Sequence, residues 1–318
     1  MSNELVCYAG KDVKMNLCNE DKETKAFKDE YKKFLSILWK YMDCWEKWSE
    51  SSGWGPYEDP DRLVGKKRIN TKFYSDLKDF LNKKENCECD KEGPYTYGED
   101  DKYKYIKNEN TGVELVSDQF GFSAPSLKLS HPYDIYLRKC KDEGKNRDEA
   151  INNVVKWVME SRTIGGSFLW PKDIWAGYNI ARGGSINKRS RIEDRVDLTL
   201  CEIMHYLGPK KYENDILYQC IEENSVGEKW LKSFGDFPRY VDYFCFKPFV
   251  DENYMPYDIV KSNIAKGDKK PINEDEKPSS VFKLSIEELE TVLSNVNYMI
   301  KERSDMMISF KGAKLPER

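Results

Sequence analysis

Residues 192–207 read Ile-Glu-Asp-Arg-Val-Asp-Leu-Thr-Leu-Cys-Glu-Ile-Met-His-Tyr-Leu and are followed by Gly208-Pro209. Drawn as a helix, the stretch is apolar nearly all round, through Ile192, Val196, Leu198, Leu200, Cys201, Ile203, Met204 and Leu207. A helix apolar on every side belongs in the interior, and the Gly-Pro pair ends it. The same helix carries Arg195, Asp197, Thr199 and Glu202. In partly desolvated surroundings these groups need partners, because a buried ion left alone costs several kcal/mol. Arg195, Thr199 and Glu202 fall on one side at i, i+4 and i+7, with Arg191 one turn earlier; Asp194 and Asp197 share a neighbouring side.

Upstream lies a glycine turn, Arg182-Gly183-Gly184, preceded by Asn179. Residues 182–195 hold five basic side chains (Arg182, Lys188, Arg189, Arg191, Arg195) against two acidic ones (Glu193, Asp194), a local charge of +3. They lead into a helix N-terminus, whose free N–H groups and dipole attract anions. One reading is a site for a nucleotide or nucleic-acid backbone. Arg182, Arg191 and Arg195 would hold phosphate and Asn179 would orient the ligand. Asp194, Asp197 or Glu202 would act as general base or as ligands of a Mg²⁺ cofactor, in a hydrolytic protein of the phage-conflict kind. The other reading is an internal ion-pair network that fixes one packing arrangement, in a non-enzymatic interaction or assembly protein. Trp39, Trp45, Trp48 and Trp54, and the aromatic run Tyr240–Phe249, would supply its contact surface.

Further out, the apolar spacing predicts helices over 24–50, 71–83, 147–162, 212–223 and 237–250. A last helix opens at Ser285, where Ser285-Ile286-Glu287-Glu288 fits a capping box. Short strands are expected around Asn110-Thr111-Gly112 and at Ser167–Trp170. Residues 83–107, rich in Lys, Glu, Asp and Gly, read as an exposed excursion, and 262–280, almost without apolar residues, as a linker. The expected architecture is α+β, predominantly helical with a small β-sheet. It comprises a main domain over 1–261, the linker, and a C-terminal helix and tail over 281–318.

With 20 Tyr, 14 Phe and 8 Trp, the chain is too aromatic to be disordered. Its 52 basic and 56 acidic residues leave a net charge of −4, so any contact with nucleic acid must come from a local patch. No run is long and apolar enough for a membrane helix. The N-terminus has no secretory pattern, and the nine cysteines suit a reducing compartment, so the expected location is the cytoplasm and no membrane partner is expected. Two histidines, His131 and His205, are too few for a His-rich metal centre. Cys87-Glu88-Cys89 lacks the further ligands zinc requires; no metal site is expected from either. His131, in Ser130-His131-Pro132, reads as a turn residue. His205 reads as a partly buried histidine bonded to a neighbour or as a cation at a helix C-terminus.

The succession Thr163-Ile164-Gly165-Gly166, Pro171, Asn179, Ala181-Arg182-Gly183, Ile192, Asp194-Arg195, Asp197-Leu198-Thr199-Leu200, Ile203 and Tyr206, then Phe234–Phe237 and Tyr240–Phe244, resembles a bacterial and phage family of unknown function. The resemblance is specific over 163–250. It implies a bacterial or phage source, treats 83–107 and the tail after 262 as private to this protein, and brings no reaction with it.

Overall fold

A computed structural model describes residues 63–64, 67–68, 71–85, 93–100, 104–119, 132–161, 163–182, 195–210 and 212–310. The helix expected at 24–50, the four tryptophans around it, Cys87, Cys89 and His131 lie outside these residues. Within them the fold is α+β and predominantly helical, with a small four-stranded antiparallel sheet and a separate two-stranded ladder.

A two-residue ladder pairs β1 (Leu63–Val64) with β2 (Lys67–Arg68). Then α1 (Thr71–Glu85) buries Tyr74, Leu77, Phe80 and Leu81, the i, i+3, i+6 and i+7 positions of one face. The main sheet has the order β3-β4-β5-β6, every neighbour antiparallel. Its strands are β3 (Tyr95–Glu99), β4 (Lys104–Asn108), β5 (Glu114–Gln119) and β6 (Ser167–Pro171). The β4–β5 turn falls where Asn110-Thr111-Gly112 predicted it. Asn108 accepts hydrogen bonds from the N–H groups of Asn110 and Thr111, and Gly112 supplies a φ of +74°.

Residues 83–107, read from composition as an exposed excursion, contribute both β3 and β4. Tyr95 and Ile106 are buried while the rest of the edge strand β3 faces outward, and that polar outer face is what the composition registered.

Between β5 and β6 the chain makes α2 (Pro132–Asp142) and α3 (Arg147–Ser161). Every residue of β6 is buried. It continues directly into α4 (Lys172–Arg182), so Trp170 on the strand meets Tyr178 on the helix edge-on, ring centroids 4.9 Å apart. Helices α2 and α4 are additions to the expected elements. Their apolar positions (Tyr133, Tyr136 and Cys140; Ile174, Trp175 and Tyr178) are periodic but interleaved with charge.

The central helix is α5 (Val196–Leu207), buried on all sides over its first two turns. The helix expected over 212–223 is shorter, α6 (Ile216–Cys220). Asn224 at φ +64° then turns the chain into α7 (Val226–Lys232). The helix expected over 237–250 stops early as α8 (Phe237–Tyr243). Cys245 takes a left-handed φ of +57°, and a 3-10 turn carries Lys247–Phe249.

The last helix, α9 (Ile286–Ser309), starts on the predicted capping box. Ser285 Oγ accepts from Glu288 N at 3.2 Å, and Glu288 returns a carboxylate oxygen to Ser285 N at 2.7 Å. Its stripe of Leu289, Val292, Leu293, Val296 and Ile300 sits in the same hydrophobic cluster as β6 and α5. The approach to the turn before β6 is close: a Cβ on Gly165 would stand 2.5 Å from the carbonyl oxygen of Ile300. Residues 262–280, read as a linker, are tied down as a strap. The buried Asn295 side chain accepts from Ile264 N at 2.8 Å and donates to the carbonyls of Ser262 and Ile259 at 2.8 and 3.1 Å.

Candidate functional site

Arg195 is the residue that caps α5, with extended backbone (φ −75°, ψ 131°), so its side chain can turn back onto the first turn it precedes. Its Nε donates to Asp197 Oδ1 at 3.0 Å and its Nη2 to Asp197 Oδ2, a two-pronged pair. The same guanidinium donates to Asp258 Oδ1 at 3.1 Å and to the Ser279 carbonyl at 2.6 Å. Asp197 Oδ2 also accepts from Ile259 N at 3.1 Å, while Asp258 Oδ1 accepts from the N–H groups of Val260 and Lys261. Arg195 and Asp197 are each 1% exposed. The cluster thus joins the start of the central helix to 258–261, just before the strap, and to Ser279 within it by charge-assisted bonds.

Thr199 stands on the side predicted for it and bonds locally: its hydroxyl donates to the Arg195 carbonyl at 2.8 Å. Glu202 shares that side and has other partners. One carboxylate oxygen accepts from Ile216 N at 3.0 Å; the other accepts from Leu217 N at 3.1 Å and from the Tyr178 hydroxyl at 2.8 Å. Glu202 therefore holds the first N–H groups of α6 and ties α4, through Tyr178, to α5. Burial pushes its pKa above the usual carboxylate range, with the three donors pulling against that rise.

Of the other residues singled out from sequence, Asn179 and Arg182 lie in the last turn of α4, their side chains outside the described set. Arg191 and Asp194 fall outside the described residues altogether. The structure therefore brings Arg195 and Asp197 together, and sets Glu202 apart from them in its own hydrogen-bonded pocket. Among the described residues no group of three His, Cys, Asp or Glu side chains stands close enough to hold a metal ion.

The aromatic run Tyr240–Phe249 is core: Tyr240, Tyr243, Phe244, Phe246 and Phe249 are all buried. Tyr240 and Phe246 stack within it, centroids 6.0 Å apart. A second buried arginine, on α9, escaped the sequence reading. Arg303 Nε donates to the Phe244 carbonyl at 2.9 Å, and Nη1 donates to the carbonyls of Gly165 at 2.7 Å and Ser167 at 2.8 Å. Its guanidinium lies 3.8 Å from the centre of the Phe246 ring. Burial pulls its pKa down to about 10. The signal was present in the sequence, because Arg303 and Met307 continue the spacing of Val296 and Ile300.

A model described as a family of unknown function (DUF6994) matches residues 74–306, well over half of the chain. The chain belongs to that family. The match runs from α1 to α9 and so takes in both arginine clusters. It also covers 83–107 and the strap after 262, which the narrower resemblance had treated as private to this protein. No curated protein and no solved structure matches the chain. No helix among the described residues is long and apolar enough to cross a membrane.

Proposed function

We propose that the protein is directed at a nucleotide or nucleic acid, that the basic stretch 182–191 meets the phosphates, and that Arg195, Asp197 and Glu202 position that stretch without touching the ligand. The observation that supports this division of labour is the enclosure of the second group. Both oxygens of Asp197 and both oxygens of Glu202 already accept internal hydrogen bonds, and Arg195 spends its donors on Asp197, Asp258 and Ser279. A phosphate reaching Arg195 would have to displace a buried carboxylate, whereas Arg182 ends α4 and Lys188, Arg189 and Arg191 follow it in the sequence before α5, whose start these bonds fix. For a hydrolytic reaction, Asp194, just beyond this stretch in the sequence, would serve as base or Mg²⁺ ligand.

The test is binding of a labelled single-stranded oligonucleotide and of a nucleoside triphosphate, each over a range of salt. Arg182→Ala and Arg191→Ala should weaken binding and flatten its salt dependence while leaving the melting temperature unchanged. Asp197→Asn should lower the melting temperature. Wild-type binding by both arginine variants, or no binding by the wild type to either probe, sinks the proposal.

The second reading, an interaction protein with a purely structural network, is favoured by the same enclosure of Arg195 and Asp197. It loses the aromatic surface at 240–249, which is internal.

A further inference from the structure

The strap that meets Arg195 at one end of α5 is gripped again at the other end. His205, in the last turn of α5, has a carboxylate on each ring nitrogen: Asp215 Oδ2 lies 2.6 Å from Nδ1 and Glu274 Oε1 lies 3.1 Å from Nε2. Tyr212 stacks on the imidazole, ring centroids 3.7 Å apart and planes 8° from parallel, and its hydroxyl donates to the other Glu274 oxygen at 3.4 Å. Three separate parts of the chain meet on one titratable ring: the helix end, the 212–215 turn and the strap.

We propose that His205, Asp215 and Glu274 form a proton-operated clasp that holds the strap against α5 and lets Glu274 go when the imidazole loses its second proton. The argument is a count of donors. An imidazolium has two N–H groups and satisfies both carboxylates. A neutral imidazole has one N–H and one lone pair, so one carboxylate must face a lone pair. The Asp215 contact is the shorter and the more enclosed of the two, so the remaining proton stays on that side and the more exposed Glu274 is released.

Among the described residues the other groups around the ring do not cancel this. Cys201, one turn back on α5, has its thiol pushed well up by burial and stays neutral. Lys210 lies over the far ring, 4.8 Å from the centre of Tyr212, and adds a positive charge from the turn. Burial lowers the His205 pKa, and the bonds and charges of Asp215 and Glu274 raise it by more, so it ends above the ordinary 6.5. A folded-state pKa above the unfolded one means that the clasp stabilises fully below the unfolded value and is lost as pH rises through the folded one.

Two imidazoles, His131 and His205, make the experiment direct. The ring resonances of the full chain are titrated by NMR in the wild type and in Glu274→Gln, with His205→Asn used for assignment where it folds. Amide hydrogen exchange of residues 270–280, corrected for the intrinsic pH dependence, is followed over the same range. The expected result is a His205 midpoint above 6.5 that falls in Glu274→Gln, with exchange at 270–280 accelerating across that midpoint in the wild type. In Glu274→Gln, exchange should already be fast and insensitive to the titration. A midpoint at or below 6.5, a midpoint that Glu274→Gln leaves in place, or exchange that ignores the titration overturns the clasp.

Discussion

Arg195 and Arg303 are buried to the same degree, 1% and 2% exposed, and are held by different chemistry. Arg195 meets two carboxylates and one carbonyl; Arg303 meets three carbonyls and the face of Phe246. In the first cluster charge answers charge, and the carboxylates depend on the guanidinium as much as it depends on them. In the second, the backbone of two chain reversals, 165–167 and 244, converges on a cation that completes their hydrogen bonding. One is an ion pair that fixes a strap. The other is a staple that closes the loop ends of the core.

The contrast can be broken most forcefully at Arg195. Arg195→Met leaves Asp197 and Asp258 buried without their cation, and stability should fall by about 3–5 kcal/mol at neutral pH. The loss should shrink as the pH is lowered, because the orphaned carboxylates then take up protons. Chemical denaturation at several pH values reads both effects. Arg303→Met should cost about 3 kcal/mol, roughly 1 for each carbonyl left unsatisfied. The three acceptors abandoned at Phe244, Gly165 and Ser167 are neutral carbonyls, so the loss should stay the same from acid to neutral pH; a loss at Arg303 that eased in acid would erase the distinction between the two clusters.

A smaller effect sharpens the picture of what a buried carboxylate does without an arginine. Glu202→Gln replaces one acceptor oxygen with an amide nitrogen, so the N–H of Ile216 or Leu217 faces another donor. The expected cost is about 2 kcal/mol, seen as a lower melting temperature. The variant's deficit should narrow as pH rises through the Glu202 titration, because burial holds that carboxyl above its ordinary value and the wild type loses stability as it ionises, while the amide does not titrate.

These clusters also mark how far the sequence could be read. The central position of α5 was legible because an all-round apolar helix is a local pattern, and the capping box of α9 because its two partners are three residues apart. Arg195 stood out as a charge in that apolar context. Its partner Asp258 did not, being 63 residues away and identified only by the folded chain. Arg303 was hidden by Lys301, Glu302 and Asp305 around it, which make the end of α9 look like solvated surface although the apolar stripe runs through 303 to Met307. The strap shows the same limit. Composition registers that 262–280 has few apolar groups, but its attachment comes from backbone atoms bonded to Asn295 and Arg195, which composition does not weigh.

The staple at Arg303 has a consequence for how the protein is made. Its carbonyl partners at Gly165 and Ser167 precede it by 138 and 136 residues. During synthesis the turn before β6 emerges long before the side chain that completes it, and must wait with its carbonyls hydrated or covered by something else. The N-terminal half therefore cannot finish its own interior in order of translation. Helix α9 brings the side chain that closes this turn, so a chain cut before α9 should leave the Gly165 and Ser167 carbonyls without that partner.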